Sequence, residues 1–140
     1  MDQKQTQRQI GTFIYDLDKD AIDSGISLIE AMDKKGFTVS AAFWSLQEEN
    51  GHYKLYIALD ELAANPSDKM KLITEVIGII QKNPDTIQIP VLSFQLISPK
   101  DDMLSLYRQV ATIDGISKMR IKNSSISGVF INDALIYRMK

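Results

Sequence analysis

The sequence predicts an α+β fold, a single domain whose largely antiparallel sheet carries helices packed on one face. Three observations predict it. Two β-rich runs, residues 39–47 and 52–59, flank Glu48-Glu49-Asn50-Gly51, and Asn-Gly is the strongest short hairpin signal. Three stretches with apolar residues at helical spacing are interspersed among the strands instead of following each strand in turn. The chain has 140 residues, a length that suits one domain, and no repeat or linker divides it. The expected order is αββαβαβββ.

Each element has its own signal. Residues 1–9 are polar and read as a flexible N-terminal tail, with residues 10–140 forming the domain. Residues 10–15 are apolar and fit no element. A first helix runs from Asp18 to Lys35: Ile22, Ile26, Ile29 and Met32 make a stripe, Asp16, Asp18, Asp20 and Asp23 crowd the end that favours negative charge, and Gly36 terminates it. If Asn50 and Gly51 form a two-residue turn, Trp44 pairs with Ile57 and Glu49 with His52. Ala42, Trp44, Leu46, Leu55, Ile57 and Leu59 then share a core face, while Phe43 and Tyr56 lie on the other.

A second helix spans residues 67–82, started by Asn65-Pro66-Ser67-Asp68 and stopped by Asn83-Pro84; Met70, Ile73, Val76, Ile77 and Ile80 form its stripe. Residues 87–97 make a third strand, with Pro90 at its beginning or on an edge. Ser98-Pro99-Lys100-Asp101 reads as a capping box for a helix that turns Met103, Tyr107, Val110 and Ala111 inward. Three short strands close the chain at residues 118–122, 127–131 and 134–139, with Asn132-Asp133 as a tight link.

The motifs Gly36-Phe37-Thr38-Val39, Ser98-Pro99-Lys100-Asp101-Asp102 and Gly128-Val129-Phe130-Ile131 with Tyr137-Arg138 resemble a family of small bacterial proteins that has no established activity. Its members read roughly Gly-Phe-Pro-Val, Ser-Pro-Asp-Asp and Gly-Val-Tyr-Ile before Tyr-Arg. Here Thr38, Lys100 and Phe130 depart from that pattern. The resemblance spans most of the chain from Gly36 onward and implies a bacterial, cytosolic, single-domain protein.

Composition narrows the chemistry. Without cysteine there is no disulfide, thiolate nucleophile or Cys-ligated metal, and one histidine, His52, makes no multi-histidine site. The first nine residues lack the apolar core of a signal peptide, and no run nears the ~20 apolar residues of a membrane span; a cytoplasmic location is expected. Asp16-Leu17-Asp18-Lys19-Asp20 opens like a calcium loop, but Ala21 stands where that loop needs glycine and Ser27 where it needs glutamate. Helix capping explains the acids better. His52, at an exposed turn beside Glu49, has no cleft to serve. No catalytic, cofactor-binding or metal-binding residue is assigned, no cofactor is expected, and the chain reads as non-enzymatic.

Two features point to function. The off-core hairpin face carries Phe43 and Tyr56, and Val91 extends it if the third strand lies alongside; an apolar face of that kind marks an interface unless residues 10–15 fold over it within the chain. The expected role is a protein–protein interaction module that self-associates through its sheet as a homo-oligomer, or binds another protein there. The alternative is nucleic-acid binding. Residues 98–140 hold seven lysines and arginines against four acids, and Lys118, Arg120 and Lys122 alternate at about 6.7 Å on one strand face. No aromatic is interleaved to stack on bases.

Overall fold

A computed structural model describes residues 13–140; the expected tail, residues 1–9, lies outside the described residues. The elements in order are α1 (Lys19–Lys35), β1 (Val39–Leu46), β2 (Tyr53–Leu59), α2 (Asp60–Ala64), α3 (Lys69–Lys82), β3 (Phe94–Ile97), α4 (Asp102–Arg108), β4 (Met119–Ile126) and β5 (Val129–Met139). The five strands form one sheet in the order β3-β2-β1-β5-β4. All neighbours are antiparallel except β2 and β3. Those two are parallel because α2 and α3 fill the connection between them. The fold is α+β, as the sequence predicts.

α1 begins at Asp18, whose carboxylate accepts from the Ala21 amide at 2.9 Å, and ends at Gly36 with φ 95°. Its buried strip is Ala21, Ser24, Gly25, Leu28, Ile29 and Met32; Ile22 and Ile26 flank it. In α3 the buried residues are Leu72, Val76 and Ile79, and Met70 is exposed. α2 is an element the apolar periodicity does not announce. Residues 87–90 are not strand: Pro90 leads into a helical turn at Val91–Ser93, and β3 is only four residues long.

The β1–β2 loop is Glu48–Gly51, closed by the Gln47 amide donating to the His52 carbonyl at 2.8 Å. Gly51 has φ 77°, while Asn50 is not left-handed, so a two-residue turn of the expected type does not form. Trp44 therefore pairs with Leu55 and Phe43 with Tyr56. The shift is two residues, which leaves Ala42, Trp44, Leu46, Leu55, Ile57 and Leu59 on one face and Phe43 and Tyr56 on the other.

The chain's end also differs from expectation. β4 and β5 make one long hairpin that turns at Ser127 (φ 50°) and Gly128 (φ 81°), and β5 runs unbroken through Asn132 and Asp133. There are two closing strands, not three.

Both faces of the sheet are covered. α1 and α3 pack on one, over Ala42, Trp44, Leu55, Ile57, Leu135 and Tyr137. On the other, α4 lays Leu104 and Tyr107 against Ala41, Phe43, Tyr56, Ile136 and Met139. The expectation of helices on a single face is corrected here: a face holding Phe43, Tyr56 and Ile136 is too apolar to leave wet, and the short α4 returns across it. No helix among the described residues is long and apolar enough to cross a membrane.

Candidate functional site

The predicted interface residues do not form a surface. Phe43 is fully buried and Tyr56 nearly so; the Phe43 ring lies 4.6 Å from Tyr107 of α4 and 5.4 Å from Tyr56, centroid to centroid. Val91 is exposed, but in the turn before β3. The covering element is α4, whereas Ile14 serves the opposite core: its carbonyl accepts from the Tyr53 amide at 2.7 Å, and its side chain packs against the cluster that holds the α1 and α3 residues.

What the structure offers instead is a groove of about 310 Å³ between α4, the β1–β2 loop and the start of β5. Met103, Leu106, Val129 and Phe130 are among its lining residues, and the buried Tyr56 and Tyr107 lie in the floor. Val129 and Phe130 are 50% and 55% exposed. They project there because the Ser127-Gly128 turn sends β5 back past the end of β1, whose last pairing with β5 is Ser45 with Ala134. The Ser127 hydroxyl donates to Gln109 at 2.6 Å, which ties the turn to the residue after α4. The Tyr56 hydroxyl donates to Gln47 at 3.2 Å. Burial pushes both floor tyrosines upward in pKa, so both phenols are neutral at physiological pH. Glu48 and Glu49 stand at the rim.

Behind this groove lies a polar network that sequence reasoning missed. Asp133 is buried, accepts from Arg120 at 2.6 and 2.7 Å, and accepts from the Tyr53 hydroxyl at 2.5 Å. Burial pushes the Asp133 carboxyl up, but the hydrogen bonds from Arg120 and Tyr53, with the charges of Arg120 and Lys122, outweigh it and hold the pKa low. Burial first, then the bond to Asp133, raises the Tyr53 pKa to about 12. The carboxylate stays ionised and the phenol stays protonated near neutrality. Neither is poised to exchange a proton there, and the trio acts as a clamp between β2, β4 and β5.

That clamp changes the basic strand face. Arg120 is engaged by Asp133, which leaves Lys118 and Lys122 of the three cations, and Lys118 lies near Asp23. His52 is not at an exposed tip. It is buried, stacked on Phe13 at 4.2 Å, with Tyr15 edge-on at 6.0 Å. The acids at the start of α1 include the Asp18 cap. Among the described residues no cluster of three or more His, Asp or Glu side chains is placed to hold a metal.

No family model, no curated protein and no solved structure matches the chain.

Proposed function

We propose that the protein is a small cytoplasmic, non-enzymatic interaction module that self-associates through the β4–β5 end of its sheet. The bacterial origin implied by the family resemblance belongs to the same proposal. The observation that supports it is the half-exposed pair Val129 and Phe130 beside a groove lined by Met103 and Leu106. The half-exposed pair and the groove it lines together give two copies apolar surface to bury against each other. The surface is self-complementary in charge: Glu48 and Glu49 rim the groove, while Lys122 lies on the hairpin that carries the tip. A two-fold axis would bring each copy's Val129 and Phe130 to the other's groove. Methionine suits such a lining because its side chain adapts to what it meets. Four apolar residues make a smaller patch than the roughly 800 Å² per partner of a standard interface, so micromolar self-association is expected.

Sedimentation equilibrium from micromolar to submillimolar concentration tests the reading. Val129→Glu with Phe130→Glu should shift the distribution to monomer while leaving the circular dichroism spectrum unchanged, because both side chains are exposed. A wild-type protein that stays monomeric throughout that range would refute it. The nucleic-acid reading is weaker. With Arg120 engaged, two lysines give a slope of log affinity against log salt of only about −2.

A further inference from the structure

The sheet has two edges, and they differ in how they are defended. Natural proteins guard open edges with charges, kinks and bulges that discourage a further strand. β4 is guarded in this way, with Arg120, Lys122 and a left-handed Asn123 at φ 49°. β3 reads Phe94-Gln95-Leu96-Ile97, with no charge, no proline and no positive φ. It is four residues long.

The surroundings of β3 are also unlike those of β4. A groove of about 370 Å³ lies against it, with Gln95 and Ile97 on the strand side and Leu62 and Pro66 opposite. Lys69, at the start of α3, and Lys100, just before α4, both reach this groove. Neither lysine side chain makes a hydrogen bond or ion pair among the described residues. Among the described lining residues the carboxylate is Asp101, which accepts from the Met103 amide at 2.9 Å as the cap of α4 and keeps its negative charge, so the lining carries a net positive charge. An edge strand without charges of its own, beside an apolar wall and with two lysines against one carboxylate, has the layout of a strand-addition site.

We infer that the β3 groove binds an extended acidic segment of a partner protein, which adds to the sheet as a sixth strand. The backbone of the segment pairs with the open edge of β3. Alternate side chains face the Leu62 and Pro66 wall, and carboxylates on the segment meet Lys69 and Lys100. This site lies at the opposite edge of the sheet from the Val129 and Phe130 tip, so it stands whether or not the protein self-associates.

The test uses the full chain and labelled, end-capped hexapeptides of alternating valine and glutamate or alternating valine and lysine, titrated at low ionic strength with amide hydrogen exchange read in parallel. The acidic peptide should bind saturably, about tenfold tighter than the basic one, as two surface ion pairs allow. It should also slow exchange of the β3 amides. Lys69→Glu with Lys100→Glu should reverse the preference without changing the melting temperature, since both side chains are exposed. Three outcomes would overturn the inference: no saturable binding, binding that leaves the β3 amides as fast as before, or a double variant that still prefers the acidic peptide.

Discussion

At the residue scale, Tyr137 joins three elements through one hydroxyl. It accepts from the Trp44 indole at 2.8 Å and donates to the Ile22 carbonyl of α1 at 2.7 Å. The ring reaches α1 only because residue 25 is glycine; a β-carbon there would sit 2.7 Å from two of its ring carbons. Glycine inside a helix normally costs about 1 kcal/mol relative to alanine. Gly25→Ala should reverse that sign and destabilise by about 1–3 kcal/mol, the usual range for overpacking. Urea denaturation measures it, and a stabilised Gly25→Ala protein would show that Tyr137 moves aside freely. Asp133 and Tyr53 make a second residue-scale prediction, about pH. The Asp133 pKa is depressed on folding, so its contribution is present above about pH 4 and is lost as pH falls through the folded value. The Tyr53 pKa is raised from 10.0 to about 12, so its contribution is complete below pH 10 and is lost as pH rises towards 12. Asp133→Asn should flatten the acid limb of stability against pH, and Tyr53→Phe the alkaline limb. Urea midpoints across pH decide it: an unchanged slope in either variant removes that residue from the pH dependence. The network was not legible in the sequence, because its members come from three strands and Asp133 beside Asn132 looks like a turn.

At the element scale, the first hairpin shows what pattern can and cannot specify. Alternation placed Trp44, Leu55 and Ile57 on one face and Phe43 and Tyr56 on the other, and the structure agrees. Register along the face was not legible to better than two residues, because a four-residue loop and a two-residue loop sort the same side chains to the same sides. That slip carried His52 from the tip into the cover of Phe13, a residue from a segment whose apolar pattern was too short to assign. The second hairpin was misread for a related reason: Asn132-Asp133 is a common turn pair, and Asp133 is tolerated within a strand because Arg120 and Tyr53 satisfy it. The true turn depends on left-handed backbone at Ser127 and Gly128. No atom crowds a β-carbon at Gly128, so Gly128→Ala should cost only the conformational term of about 1–2 kcal/mol. Asn132→Ala, inside a strand and exposed, should stay within about 0.5 kcal/mol. Chemical denaturation of the two variants compares them directly, and a reversed order of cost would return the turn to Asn132-Asp133.

At the scale of the whole molecule, one sheet serves two cores. Helical periodicity foretold the α1 and α3 layer, because long amphipathic helices announce themselves. The α4 layer was hidden: seven residues carry too little periodicity to show which face they cover, and Phe43 with Tyr56 looked like a surface in want of a partner. The two layers share β1, β2 and β5, and residues such as Ala41 and Ala42 belong to opposite cores while being neighbours in the chain. Arg138 adds a polar tie, bonding Asp33 of α1 at 2.9 Å and the Val39 and Gly115 carbonyls at 3.2 and 3.0 Å. With so much shared backbone, neither core can melt while the other stays packed, and unfolding should be one transition. The single tryptophan, Trp44, sits in the α1 and α3 core and reports on it alone. Leu104 is fully buried in the other core, and Leu104→Ala should cost about 2–5 kcal/mol through the cavity it leaves. If the cores are coupled, that loss should lower the Trp44 fluorescence midpoint and the far-ultraviolet circular dichroism midpoint by the same amount. A Trp44 transition that stays at its wild-type midpoint while the dichroism signal becomes biphasic would mean that α4 unfolds on its own, exposing Phe43 and Tyr56 as the free face that their alternation with the core residues describes.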